Sequence, residues 1–126
     1  MAIRKRNSAL AIAAACFLAA ATGSAGAAGA FAVGACGAYG YGYGFRTIAG
    51  ARIAAMRRCG GKKCRIVGVF HRGCAALSID AKNPCGAFGW AIESHLGRAE
   101  NLSTRRCYQY GGHACVVRAW ACDDKG

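Results

Sequence analysis

The hydrophobic pattern of this chain is clearest between residues 39 and 45, where aromatic residues and glycine alternate. Tyr39, Tyr41, Tyr43 and Phe45 are separated by single glycines. A period of two places all four rings on one face of a β-strand and leaves the opposite face nearly bare. The pattern therefore predicts an aromatic strand.

A second stretch repeats this pattern in a weaker form. Phe88, Trp90 and Ile92 take the aromatic positions, and Gly89 and Ala91 take the small ones. Both stretches follow a Cys-Gly-Ala sequence, which begins at residues 36 and 85. We therefore predict two equivalent aromatic strands.

A helical period follows each aromatic strand. Small and apolar residues recur at spacings of three and four over residues 47–59 and again over residues 95–107. Both segments end in Arg-Arg-Cys, and a Gly-Gly pair lies beyond each. Thr47 is a suitable N-cap, and glycine after the last turn suits C-capping. These features predict two helices in equivalent places.

The remaining hydrophobic runs have the composition of short strands. Two of them start at a cysteine directly after a helix, at residues 64–70 and 115–121. Residues 74–80 can pair with the second aromatic strand across a turn that contains a proline, and residues 31–35 take the corresponding place before the first.

The predicted unit is thus strand–strand–helix–strand, repeated over about 31–73 and 74–122. We expect a single α+β domain with this internal duplication, in which two helices cover one face of a mainly antiparallel sheet. Two copies of a long unit are too few for a solenoid.

The first thirty residues have the pattern of a secretory signal peptide. Three basic residues precede an apolar run at residues 9–21, which is too short for a comfortable membrane span. Cleavage sites of the A-x-A type end at Ala27 and Ala30. We expect a cleaved signal at residues 1–30, no transmembrane segment after cleavage, and a periplasmic or secreted bacterial protein. An uncleaved amphiphilic anchor is the alternative.

The cysteine count supports an exported protein. The chain has nine cysteines, and eight of them follow residue 30. An even number in a small exported domain predicts four disulfides. The absence of a CxxC pair and the scattered histidines disfavour zinc, and we expect no metal or other cofactor. The eight are Cys36, Cys59, Cys64, Cys74, Cys85, Cys107, Cys115 and Cys122.

Residues 36–122 contain a recurring set of motifs: G-A-[YF]-G-[YW], the Ala-rich helix ending in Arg-Arg-Cys, Cys-x-Ile-Val-x-Val-Phe, Cys-Ala-Ala-Leu and Val-Arg-Ala-Trp-Ala-Cys. Together these motifs resemble domain-of-unknown-function family four-one-eight-nine. The resemblance implies a small exported bacterial protein with a duplicated domain and no established activity. The usual family pattern matches six of the cysteines, whereas Cys36 and Cys85 are additional and lie in equivalent places.

The symmetry of the two copies suggests a disulfide pairing. In this hypothesis, Cys59–Cys64 and Cys107–Cys115 each join a helix end to the following strand. The bridges Cys74–Cys122 and Cys36–Cys85 would cross-link the two halves.

The positive charge lies mostly in the first half. The formal net charge is +12, and residues 31–84 carry nine Lys and Arg against one acid. Such a cluster suggests an anion-binding patch for lipopolysaccharide, acidic phospholipid, nucleic acid or an acidic protein. The alternative is solubility and favourable interaction with the dipole of the first helix. The candidate residues are Arg57, Arg58, Lys62, Lys63 and Arg65.

The aromatic strands have two interpretations. Their rings can form an exposed platform that stacks on sugars, peptides or bases. Alternatively, they form the core, with glycines where another element approaches closely. The candidate surface residues are Tyr39, Tyr41, Tyr43, Phe88 and Trp90.

Nothing in the sequence indicates catalysis. Paired cysteines leave no thiolate nucleophile, and no Ser-His-Asp or paired-carboxylate pattern is present. We therefore expect a non-enzymatic binding module whose basic surface meets an anionic partner from the envelope or a host. The alternatives are an interaction module that pairs through its aromatic strands and, less favoured, a small hydrolase or inhibitor. No specific nucleic-acid motif is present, and the oligomeric state is left open.

Overall fold

A computed structural model describes residues 27–123 of the chain. The signal peptide expected at residues 1–30 therefore lies largely outside the described residues. In chain order the elements are β1 (Ala28–Val33), β2 (Tyr39–Phe45), α1 (Ile48–Arg58), β3 (Arg65–His71), β4 (Cys74–Asp80), β5 (Phe88–Glu93), α2 (Leu96–Gln109) and β6 (Cys115–Cys122).

The strands form two antiparallel sheets of three strands each. Sheet 1 has the order β2-β1-β3 and sheet 2 the order β5-β4-β6. The fold is therefore α+β, as expected, but the expected arrangement of two helices on one face of a sheet is wrong. Its physical reason lies in β1 and β4, which are buried along their whole length and need cover on both faces.

The cover is a helix on one face and the other sheet on the opposite face. Phe31 and Val33 of β1 join Leu77 and Ile79 of β4 in the core between the sheets. The alternate residues of β1 pack against α1, and those of β4 pack against α2. The molecule thus has four layers, helix–sheet–sheet–helix, with the helices on opposite outer faces.

Glycine alternation in β2 brings α1 close to sheet 1. A Cβ atom at Gly42 would lie 2.8 Å from the carbonyl oxygen of Ala51, and one at Gly40 would overlap the backbone at Ala55. Gly89 of β5 is equally close to the backbone of α2 at Ser103. These glycines are therefore needed because helix and strand backbones meet there.

The last residues of β2 depart from the expected alternation. Phe45 packs with the α1 cluster instead of sharing a face with the tyrosines. The β1–β2 register shifts at this end of the strand, and Gly44 has a φ of +73°. Such an irregularity adds a residue to one strand and reverses the side on which the next side chain lies.

The helix termini follow the sequence signals in part. The Thr47 hydroxyl accepts a hydrogen bond from the backbone N–H of Gly50 at 3.0 Å, which confirms the N-cap of α1. Gly111 follows α2 with a φ of +97°, as expected of glycine after a last helical turn. In the first half the residue with positive φ in this loop is instead Lys63, at +57°.

The eight cysteines form the four pairs that symmetry suggested. Two bridges, Cys59–Cys64 and Cys107–Cys115, join each helix end to the next strand, and Cys36–Cys85 joins the two halves. The expected role of Cys74–Cys122 is wrong. Its cysteines are register partners on β4 and β6, so this bridge lies within sheet 2.

Candidate functional site

The edges of the two stacked sheets carry two clefts, and the candidate aromatic residues are divided between them. β2 lies beside β6 at one edge, and β3 lies beside β5 at the other. Tyr39, Tyr41 and Tyr43 line the first cleft, whereas Phe88 and Trp90 line the second. The five rings therefore do not form one continuous platform.

The tyrosine cleft, lined by Tyr39, Tyr41, Tyr43, Arg118 and Trp120, has a volume of about 470 Å³. Tyr39 and Tyr41 are partly buried against the core between the sheets. Their ring centroids lie 6.3 Å apart, and Tyr43 follows at 6.0 Å from Tyr41. Tyr43 is 54% exposed and Trp120 51%, so the row of rings runs from the core to solvent.

The arginine cleft, lined mainly by Arg65, Phe88, Trp90, Arg106 and Tyr110, is larger, at about 790 Å³. Arg65 begins β3 of sheet 1, whereas the other four residues come from β5, α2 and the end of α2. Phe88 and Trp90 pack partly against the core, and Tyr110 is 74% exposed. This cleft is therefore completed by residues from both sheets.

The second arginine of each Arg-Arg-Cys sequence has a structural partner. Arg58 donates from its terminal nitrogen to the carbonyl oxygen of Tyr41 at 2.8 Å. Arg106 donates in the same way to the carbonyl oxygen of Trp90 at 2.7 Å, and its guanidinium lies 5.8 Å from the Trp90 ring centre. The repeated motif thus ties each helix end to its aromatic strand.

The five candidate anion-binding residues are all exposed. Lys62 and Lys63 lie in the short loop that the Cys59–Cys64 bridge closes. A hydrogen bond from the Ala35 N–H to the Lys62 carbonyl oxygen, at 2.8 Å, holds this loop to the segment between β1 and β2. Two of the five therefore differ from the rest. Arg58 binds a strand carbonyl, and Arg65 reaches the arginine cleft.

Two carboxylates are buried and bind backbone N–H groups. Asp80 accepts hydrogen bonds from the N–H groups of Lys82, His113 and Ala114. These bonds, that of His113 above all, lower the pKa of Asp80 because they stabilise its charged form. Asp123 accepts a hydrogen bond from the N–H of Gly44 at 2.9 Å. Both carboxylates therefore hold segments of the fold in place through backbone hydrogen bonds.

Sequence reasoning missed several cleft residues. Arg106 was signalled by the repeated Arg-Arg-Cys, and Arg118 and Trp120 belong to the closing Val-Arg-Ala-Trp motif. Tyr110 carries no repeated pattern, because the first half has no aromatic residue between its helix and the next strand. Across residues 27–123, no group of three His, Cys, Asp or Glu side chains is placed to hold a metal ion.

The fold and its clefts define a small α+β domain with four disulfide bridges. The chain belongs to the family described as Domain of unknown function (DUF4189), whose model matches residues 28–122. No curated protein and no solved structure matches the chain. In the part of the chain that the structure describes, no helix is long and apolar enough to cross a membrane.

Proposed function

We propose that this protein is an exported, non-enzymatic binding domain that holds an anionic partner on the basic surface after α1. This surface, called the basic loop region, consists of Arg57, Lys62, Lys63 and Arg65. The observation that carries the proposal is that these four cations are exposed, whereas two of the four carboxylates among residues 27–123 are buried.

The charge balance at the surface supports this proposal. The described residues contain thirteen Lys and Arg but only four Asp and Glu. Asp80 and Asp123 are each only 3% exposed, which leaves Glu93 and Glu100 as the partly exposed acids. Little negative charge therefore competes with an external anion for the basic loop region.

Export is part of the same proposal. Four disulfides are typical of an oxidising compartment such as the periplasm or the exterior of the cell. Since β1 begins at Ala28, we propose cleavage of the signal peptide after Ala27. Cleavage after Ala30 would remove half of the central strand of sheet 1.

We also propose that the domain arose by internal duplication of a strand–strand–helix–strand unit. Its support is the matching strand order of the two sheets and the matching hydrogen bonds of Arg58 and Arg106. Lys62 and Lys63 have no counterpart in the second half, where Gly112, His113 and Ala114 precede the strand. A feature present in one copy only is a better candidate for function than one that both copies share.

The test is salt-dependent binding of the oxidised protein to vesicles containing phosphatidylglycerol, to lipopolysaccharide and to duplex DNA. We expect binding to at least one probe, with an affinity that falls steeply as salt screens the charges. Replacing Lys62 and Lys63 with alanine should weaken that binding by about tenfold, which corresponds to about 1.4 kcal/mol.

The matched control removes two exposed charges elsewhere. Arg98→Ala together with Arg105→Ala lowers the net charge by the same amount on α2, where both side chains are exposed. We expect this variant to keep most of the affinity. Equal losses in the two variants would show that net charge alone attracts the probe, and absence of binding to all three probes would reject the proposal.

A further inference from the structure

We propose that the arginine cleft binds a small ligand in which a phosphate monoester is attached to a ring. Nucleotides and sugar phosphates share this chemistry. The inference extends the proposed function, with which it shares Arg65, but it concerns a separate site that does not include Lys62 or Lys63.

The charge of the cleft favours a dianion. Arg65 and Arg106 both line it, and none of its lining residues is acidic. A phosphate monoester carries a charge of about −1.5 to −2 at neutral pH, and guanidinium groups bind such oxygens through paired hydrogen bonds. Two arginines without a competing carboxylate therefore suit this group better than a neutral ligand.

Arg106 is held in place for this role. Its hydrogen bond to the Trp90 carbonyl oxygen and its position over the Trp90 ring fix the guanidinium at the cleft wall. A guanidinium has five N–H donors, so this single bond leaves donors that can reach an anion. Fixing the side chain before binding reduces the entropy lost when the ligand arrives.

The remaining walls suit a ring. Phe88, Trp90 and Tyr110 present aromatic surface, and the lining at Gly86 and Ala87 carries almost no side chain. The volume of about 790 Å³ lies in the range of small-molecule sites, about 300–1,000 Å³. A ligand with a ring beside its phosphate can therefore contact the aromatic wall and both arginines together.

The tyrosine cleft differs in the property that matters here. It contains one arginine, and the Arg118 guanidinium lies 5.7 Å from the centre of the Tyr39 ring. It therefore offers one arginine where the arginine cleft offers two, and it serves as the internal control.

The experiment is calorimetric titration of the oxidised protein with adenosine 5′-monophosphate, glucose 6-phosphate and inorganic phosphate. We expect at least one ring phosphate to bind at least tenfold more tightly than inorganic phosphate. Preference for the first probe indicates a nucleotide, and preference for the second indicates a sugar phosphate. Equal affinity for all three, or no binding, would overturn the proposal.

Variants locate the site. Arg65→Ala should lower the affinity for the preferred probe at least tenfold. Arg118→Ala, an equal loss of charge in the tyrosine cleft, should change that affinity less than twofold. Equal weakening by both would overturn the assignment. Because Arg65 is exposed, we expect the variant to fold, and its melting temperature verifies this.

Fluorescence gives an independent readout. The chain has two tryptophans, and Trp120→Phe leaves Trp90 as the reporter in the arginine cleft. Saturation with the preferred ring phosphate should change its emission, and an unchanged spectrum at saturation would place the ligand elsewhere. The Lys62→Ala, Lys63→Ala variant should keep this response, so loss of polyanion binding and loss of the small-ligand site are distinguishable.

Discussion

The two halves of the molecule, residues 28–71 and 74–122, share one frame, an arrangement of three strands and a helix, and differ in their loops. Each half has a fully buried central strand, an aromatic edge strand and a helix lying on it. Gly40 and Gly89 allow the close helix contact, and Arg58 and Arg106 bind strand carbonyls. Packing therefore accounts for the shared glycines and for the carbonyl contacts of the two arginines.

The halves differ at the loop between the helix and the last strand. In both, a backbone hydrogen bond holds the loop, from Ala35 to Lys62 in the first half and from Ala81 to Ala114 in the second. In the second half the carboxylate of Asp80 holds this loop as well. The equivalent position in the first half is Gly34, where a Cβ atom would lie 2.8 Å from the Cys64 sulfur.

Because of this difference, the same arrangement of strands and helix carries two loops of different charge. The loop of the second half is fastened by a buried negative charge and carries no lysine. The loop of the first half packs against Gly34 and Ala38, and within residues 27–123 no carboxylate is hydrogen-bonded to it. Substitutions in the frame that the halves share, and substitutions at the features in which they differ, can test this contrast.

The largest expected effect is on the shared frame. Gly40→Ala and Gly89→Ala each place a methyl group against the backbone of the packed helix. Overpacking of this kind costs about 3 kcal/mol where backbone must move, so both variants should melt well below the parent protein. Thermal unfolding followed by circular dichroism measures the two losses.

Gly60→Ala is the matched control, because a Cβ atom at Gly60 meets nothing within 4 Å. Its melting temperature should stay close to that of the parent. If Gly40→Ala is tolerated while Gly89→Ala is not, the close helix contact is required in the second half only and the frame is not shared.

A smaller effect is expected from the arginines that join helix to strand. Arg58→Ala and Arg106→Ala each remove a hydrogen bond to a strand carbonyl. Such a bond contributes about 1 kcal/mol net, less for the exposed Arg58 than for the partly buried Arg106. Chemical denaturation curves measure the difference in free energy of unfolding.

The preceding residues, Arg57 and Arg105, supply the controls. Both are exposed, and alanine at either should change the free energy of unfolding by less than about 0.5 kcal/mol. Losses at Arg57 as large as those at Arg58 would mean that charge at the helix end, and not the carbonyl contact, is what matters.

The smallest and most selective effect is expected for Asp80→Asn. Because the folded state lowers the pKa of Asp80, the charged carboxylate stabilises the protein above the unfolded-state pKa of about 3.9. That contribution is lost as the pH falls through the lower folded-state value. The variant should therefore melt below the parent at pH 7, and the gap should close below about pH 4.

Melting curves from pH 7 to pH 2 measure this gap. A constant difference across the range would assign the loss to altered hydrogen-bond geometry and not to the charge. Amide hydrogen exchange at His113 and Ala114 should accelerate in the variant, while exchange at Lys63, in the loop of the first half that Asp80 does not contact, should not change.

Local patterns were enough to predict most elements and the disulfide pairs. Alternation found β2 and β5, and the Arg-Arg-Cys sequences marked the ends of the helices within a few residues. The layering could not be predicted in the same way, because β1 and β4 are buried on both faces and their sequences do not show which face a helix covers. The side-chain positions of Arg65 and Tyr110 depend on how the two sheets stack, so the arginine cleft was not visible in the sequence.

The Cys36–Cys85 bridge has a consequence for assembly. Two halves that pack through similar sheets and are joined by the short link at residues 72–73 could exchange partners between two molecules, as in domain swapping. A bridge formed within one chain holds both halves of that chain together. Once the bridge has formed within one chain, that chain can no longer exchange its halves with another, so the order of oxidation and association would decide between a monomer and a swapped dimer.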